Sequence, residues 1–276
     1  MTNAKQLVVK LGTEVLLGKR WIDNKHLDQR IFNKIAGQVI EVQNLGVAVT
    51  IVSSGAIQAG REKIEKLERN IIRLESIRLE RKELAGIGAR HLLNMWGKGF
   101  GRHSREIAEM WVTYGNWNNE GERQSMRSSI LNYHKQRVIP IVNENDVISD
   151  KEIRLMDKGL GENDRLARMV AELLNADAIL FLTNGGGIYE EDPTLNPGAR
   201  LYAEIDIETA MRLAAAPGAT SPIGAGGIGA KLREASICAK REMRVAIAGM
   251  GRDTIYKFAI GKPVGTIMGD RIRFRR

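Results

Sequence analysis

A chain of 276 residues, 43% of them hydrophobic and 27% charged, has the ordinary balance of a soluble globular protein and enough material to bury a substantial core. A single cysteine, Cys238, excludes an intrachain disulfide framework; the N-terminus lacks a basic start followed by a long apolar run, and no stretch reaches the ~18 apolar residues of a membrane span, so a cytoplasmic protein with no membrane partner is expected. Lys and Arg outnumber Asp and Glu by 42 to 33, a net charge of +9 that points to anionic partners; nucleic acid is not expected among them, because no aromatic-interleaved basic stripe accompanies the charge.

In chain order, residues 6 to 12 (Gln-Leu-Val-Val-Lys-Leu-Gly) predict a first strand with Lys10 near its end and Gly12-Thr13 in the turn. Residues 27 to 45 repeat apolar side chains at helical spacing (Leu27, Ile31, Ile35, Val39, Val42), and Val47 to Val52 predicts a second strand that ends in Ser53-Ser54-Gly55-Ala56. This is a βαβ unit with an expected right-handed crossover. Both strands end in small hydroxyl and glycine residues, which let the backbone approach a ligand and leave amides for an anion. Residues 57 to 96 predict helix, broken near Gly86 and Gly88, and the mixed Arg, Lys and Glu of 61 to 83 read as a solvated face. A loop or hairpin around Met110 to Thr113 and a helix over 123 to 135 follow. His26, His91, His103 and His134 lack metal-ligand spacing and read as lone surface histidines, while Trp96, Trp111 and Trp117 read as packing residues.

Residues 138 to 142 (Val-Ile-Pro-Ile-Val) predict a short buried strand, and Asn143-Glu144-Asn145-Asp146 follow at its carboxyl end. A second polar cluster, Gly161-Glu162-Asn163-Asp164, opens a helix marked by Leu166, Met169, Val170, Leu173 and Leu174. Taken singly, these clusters are a turn and a helix cap. Together, at a strand end and a helix start, they are expected to face one cleft, since ligands of parallel sheets lie beyond the carboxyl ends of the strands. Asp177 to Leu182 predicts another buried strand, running into Thr183-Asn184 and three glycines, Gly185 to Gly187, again read as a close approach to a ligand. An irregular stretch then delivers Gly224-Ala225-Gly226-Gly227-Ile228-Gly229-Ala230-Lys231, a helix to about Arg241, a strand at Val245 to Ala248 and a last short strand at Gly265 to Ile267. No composition break marks a linker. The expectation is one domain over residues 1–276, an α/β, three-layer α/β/α sandwich with a mainly parallel central sheet.

Gly224 to Gly229 fits G-x-G-x-x-G in spacing, but Ala-Pro-Gly-Ala-Thr-Ser-Pro-Ile precedes it where a dinucleotide fingerprint needs a strand. A P-loop fails as well, for want of the Gly-Lys pair and the following hydroxyl. What remains is a glycine-rich turn at a helix N-terminus with Lys231 in its first turn, a coherent phosphate cradle. Phosphoryl transfer fits this set, because it needs positioning, cations and amide donors more than a base. A carboxylate acceptor, with pKa about 4, needs no base at neutral pH. Lys10 and Lys231 then offset repulsion between two anions, with Asp164 between them.

On these residues the chain resembles the glutamate 5-kinases of the amino-acid kinase family. The matching segments are Val8 to Thr13, Val52 to Ile57, Ile139 to Asp146, Gly161 to Asp164, Leu182-Thr183 with Tyr189 and Asp192-Pro193, and Gly226-Gly227 to Lys231, in family order over nearly the whole chain. The Asn-Glu-Asn-Asp cluster followed by Asn163-Asp164 singles out the glutamate kinases. The resemblance implies ATP-dependent, magnesium-assisted phosphorylation of the L-glutamate side-chain carboxylate, the first step of proline biosynthesis, by a homo-oligomer. It implies Ser54, Gly55, Asp146 and Asn163 as glutamate-binding residues, and Lys10, Lys231 and Asp164 as catalytic residues. It assigns the nucleotide to Lys10, Gly12, Thr183, Asn184, Ala225, Gly226, Gly227, Ile228, Gly229, Ala230 and Lys231, and no residue to the metal. Departures from the family pattern are Glu14 in place of a small hydroxyl, Glu162 and Asn184 in place of Asp, and Ala225 and Ala230 in place of threonine. Glu14 is expected to pair with Lys10 or an arginine. No C-terminal RNA-binding-like domain is expected after the kinase domain. Open alternatives are a same-fold kinase for another carboxylate or phosphate acceptor, and a non-catalytic nucleotide binder.

Overall fold

The computed structural model describes residues 5–17, 26–70, 78–148, 162–193, 195–216 and 227–269. The apolar run Leu7-Val8-Val9 leads into Lys10 and Leu11 and forms β1, Gln6–Leu11, a strand buried on both faces. Such a strand belongs at the centre of a sheet covered on both sides. β2 is Ala48–Ser53, β3 Ile107–Val112, β4 Ile139–Glu144, β5 Ala178–Thr183, β6 Glu204–Ile205, β7 Arg244–Gly249 and β8 Thr266–Met268. They form one sheet in the order β3-β4-β2-β1-β5-β7-β8-β6. Every neighbouring pair is parallel except β7 with β8.

The strand period of two sorts β1 between the two outer layers. Leu7, Val9 and Leu11 face a core shared with α2 (Gln29–Asn44), α3 (Ala56–Asn70), α4 (Arg81–Gly101) and α10 (Thr254–Ala259). Val8 faces the other core, shared with α6 (Glu120–Lys135), α7 (Glu162–Leu174), α8 (Ile207–Ala215) and α9 (Ile228–Lys240). Lys10, two residues beyond Val8, therefore points toward α7 and α9. This is the three-layer α/β/α arrangement with a mainly parallel sheet.

Several expectations change. Gly86 and Gly88 do not break a helix: α4 runs through both. A Cβ on Gly88 would lie 1.9 Å from the Ala56 carbonyl oxygen, and one on Gly60 would lie 1.9 Å from that of Leu84, so Gly60 and Gly88 are where the backbones of α3 and α4 touch. Met110 to Val112 belongs not to a hairpin but to β3, an edge strand parallel to β4, and Thr113 caps the short helix α5, Tyr114–Asn118. α6 starts at Glu120, where Asn119 accepts from the Glu122 amide. β4 runs two residues further than expected, with Asn143 and Glu144 as its buried end. α8, capped by Asp206, was not foreseen in the periodicity.

His134 is not a surface histidine. Its Nε2 lies 3.0 Å from the Thr50 hydroxyl, and burial pushes its pKa down to about 4. Trp96 is fully buried, edge-on to Phe32 at 4.6 Å and stacked on Phe100 at 6.0 Å. Its indole donates to Ser53 Oγ at 3.1 Å, which fixes the end of β2. Cys238 is core, with its thiol pushed up to about 12 by burial. No helix of the described residues is long and apolar enough to cross a membrane.

Candidate active site

Because β1, β2, β4 and β5 are parallel, their carboxyl ends share one edge of the sheet. That edge collects Lys10 and Gly12 from β1, Ser54 and Gly55 from β2, Asn145 and Asp146 from β4, and Thr183 and Asn184 from β5. The start of α7 brings Asn163 and Asp164 to the same place: Asn163 Nδ2 donates to Ser54 Oγ at 2.7 Å. The start of α9 brings Lys231.

Asp164 is the hub. Its Oδ1 lies 2.7 Å from Lys10 Nζ, and Lys231 Nζ donates to both of its oxygens, at 2.9 and 3.1 Å. All three side chains are buried. Burial pushes the Lys10 ammonium down to about 8; Asp164 opposes that shift and Lys231 adds to it. Burial alone would raise the Asp164 carboxyl, but Lys10 and Lys231 outweigh it and hold the group below its ordinary value. Two ammonium groups share one carboxylate, so the trio carries one unneutralised positive charge in a water-poor place. Such a surplus attracts an anion and strengthens as negative charge develops on it. The Lys231 ammonium also lies 5.7 Å from the Phe181 ring centroid, and Phe181 is the β5 neighbour of Lys10.

The turns around this centre are closed by glycines. Gly55 has φ +114°, a conformation side chains disfavour, and a Cβ there would press on Leu16 at 3.3 Å and Leu92 at 3.5 Å, so glycine at this strand end is required by the backbone and the core. A Cβ on Gly12 would stand 3.7 Å from Lys10 Nζ, beside the ammonium. Gly227 caps α9 with no side-chain bond, leaving the first turn of that helix to present backbone amides. Gly227, Gly229 and Ala230 are buried there, while Ile228 is exposed. Ala225 and Gly226 lie outside the described residues, as does Gly161. Asn163 Oδ1 is a buried acceptor with no hydrogen-bond partner among the described residues, and such an atom is costly unless a ligand or water satisfies it.

Contacts around this edge tie its turns to the rest of the fold. Two of the three glycines that follow Asn184 also serve the packing of the sheet: a Cβ on Gly187 would fall 2.8 Å from Thr266 Oγ1, and the Gly249 amide donates to the Gly186 carbonyl, while Gly185 is exposed. Asn184 Nδ2 donates to the Glu14 carbonyl at 2.8 Å, tying the end of β5 to the short helix α1, Thr13–Leu16. Glu14 does not pair with Lys10, whose ammonium is held by Asp164, and its carboxylate has no ion pair among the described residues. Asn143, the first residue of the polar cluster, lies buried at the end of β4; its Oδ1 accepts from the Glu144 amide, and its Nδ2 has no hydrogen-bond partner among the described residues.

The Amino acid kinase family pattern matches residues 5–249. A glutamate 5-kinase of Dehalococcoides mccartyi is 36% identical over 263 residues, which is 95% of this chain and 68% of that protein. A glutamate 5-kinase of Listeria innocua is 30% identical over 272 residues, 98% of this chain and 95% of the relative. Among solved structures, a UMP kinase from Bacillus anthracis superposes with a TM-score of 0.62 at 17% identity, covering 97% of each chain.

Proposed function

The chain belongs to the amino acid kinase family, and from that premise we propose that it transfers the γ-phosphoryl group of ATP to the side-chain carboxylate of L-glutamate, giving glutamyl 5-phosphate for proline biosynthesis. The observation that carries the reading is the buried Lys10–Asp164–Lys231 trio, a fixed cationic centre at the carboxyl edge of a parallel sheet. A carboxylate oxygen forms its bond to the γ-phosphorus while the bond from that phosphorus to the bridging oxygen breaks, and ADP leaves with the electron pair. No proton moves, so no general base is required. The obstacle is repulsion between two anions, which the two ammonium groups offset; a single unit-charge pair 4 Å apart is worth about 4 kcal/mol at an effective dielectric of 20. Asp164 keeps both lysines aimed at one point, which removes reorganisation from the reaction step.

On this reading Ser54, Gly55, Asp146 and Asn163 hold glutamate, with Asp146 and the unpartnered Asn163 Oδ1 suited to its α-ammonium. Gly12, Thr183, Asn184 and residues 225 to 231 hold the nucleotide, whose phosphates suit the amides opening α9. Magnesium is not caged by the protein in this scheme. Among the described residues no three His, Cys, Asp or Glu side chains come together as a metal site, and both oxygens of Asp164 are taken by lysines. We propose that the metal enters on the phosphates and that the chain works as a homo-oligomer. The test is an acceptor panel with ATP and magnesium, trapping acyl phosphate with hydroxylamine. Glutamate is expected to give the highest rate. Faster turnover of aspartate, N-acetylglutamate or a phosphate acceptor would replace the substrate assignment, and no turnover of any acceptor would favour a nucleotide binder.

A further inference from the structure

α7 and α9 lie side by side, α7 over β1 and α9 over β5 and β7, and Asp164 meets Lys231 across their seam. One turn further along, Arg168 Nε donates to Glu234 Oε2 at 2.5 Å. The spacing, four residues on α7 and three on α9, puts this second bridge on the same seam. Glu234 is only 3% exposed. Arg168 is itself anchored, donating through Nη1 to Glu172 at 2.8 Å, and Glu172 also takes Arg241 at 3.1 Å. The polarity alternates: acid on α7 against base on α9 at the site, then base on α7 against acid on α9 behind it. Sliding one helix past the other by a turn, about 5.4 Å, would set Glu234 beside Asp164 or Lys231 beside Arg168. Either arrangement places like charges together in a buried seam, so a single register survives.

This matters for Lys231 because the helix that carries it begins at Gly227 without a side-chain cap. We propose that the Arg168–Glu234 bridge is a positioning element for phosphoryl transfer, holding α9 against α7 in the register that sets the Lys231 ammonium on Asp164. Neither residue touches the reacting groups; both act through Lys231. The inference rests on the kinase reading of the site.

Its test compares the wild type with Glu234→Gln and with the double variant Arg168→Met/Glu234→Leu. Removing Glu234 alone leaves Arg168 with Glu172 as its remaining acid, whereas replacing both partners of a buried bridge with apolar side chains of similar volume is commonly neutral or stabilising, so the double variant keeps the fold in hand. It is expected to melt at or above the wild-type temperature. Its kcat is expected to fall about 10- to 100-fold, the scale on which an ångström of misplacement acts, with KM for glutamate within about twofold. Glu234→Gln should show the same split. Crystal structures of wild type and double variant supply a readout that no acceptor enters: the Lys231–Asp164 contact should lengthen beyond hydrogen-bond distance. A folded double variant with wild-type kcat, or one that keeps that contact at about 3 Å, would overturn the proposal. Failure of the substrate assignment would appear separately, as a wild-type protein without glutamate-dependent turnover, while the Lys231–Asp164 separation would still decide the bridge.

Discussion

At the scale of single residues, the chemistry is set by burying three charges together. Lys10 is held at about 8 against an ordinary value of 10.5. The unfolded chain therefore holds more protons than the folded one between those values, and this group's contribution to stability improves as pH rises from 8 to 10.5. Activity runs the other way, since only the charged lysine offsets the anions. We expect kcat/KM for ATP to fall as pH rises through about 8, under conditions where the fold is intact, measured by steady-state kinetics across pH 6 to 10. A profile flat to pH 10 would mean that the Lys10 charge is not needed. Glu14 stands nearby with no ion pair among the described residues, in the first turn of α1, where an acid is favoured by the helix dipole. Glu14→Ser is accordingly expected to leave turnover intact or raise it, and to lower KM for ATP if it changes it. A hundredfold loss of kcat in a folded variant would instead make the carboxylate a participant.

Among elements, the packing of α3 on α4 shows what a glycine can mean. Gly86 and Gly88 look alike in the sequence, two residues apart in a charged helical stretch, yet their surroundings differ. A Cβ on Gly88 would collide with the Ala56 carbonyl and the Gly60 amide, while one on Gly86 would meet only the Val147 methyl at 3.4 Å. Gly88→Ala must push two helix backbones apart and is expected to cost about 1–3 kcal/mol or more. Gly86→Ala is expected to be neutral or to stabilise by up to about 1 kcal/mol, because alanine is the better helix former. Urea unfolding of the two variants measures the difference, and equal effects would mean that helix propensity rather than backbone contact governs both positions. β3 carries a similar lesson. Its residues Ile107 to Val112 are half-buried at the sheet edge, so they lack the uninterrupted apolar run that marks the central strands, and only pairing with β4 makes them a strand.

For the whole molecule, what counts is that parallel strands end together. Lys10 and Lys231 are separated by most of the chain, and Asp164 by more than half of it from Lys10, yet the sheet order places β1 between β2 and β5, lays α7 over β1 and sets α9 beside α7 over β5 and β7. The sequence by itself determined the class of fold, because apolar runs alternating with helical periods admit few arrangements besides a covered parallel sheet. It also determined the inventory of the site: the small residues closing β1 and β2, the polar end of β4, the acid-amide pair opening α7 and the lysine opening α9 each stand out against their neighbours. Only the tertiary structure decided how those groups combine. That Asp164 binds both lysines, that Asn163 bridges to Ser54, that Asn184 donates to the Glu14 carbonyl and Gly187 packs on Thr266, and that Arg168 meets Glu234 behind the site are all contacts between distant segments. The physical reason is that periodicity reports which face of an element is apolar, whereas a hydrogen bond or ion pair depends on ångström-scale placement that comes only from packing one element on another.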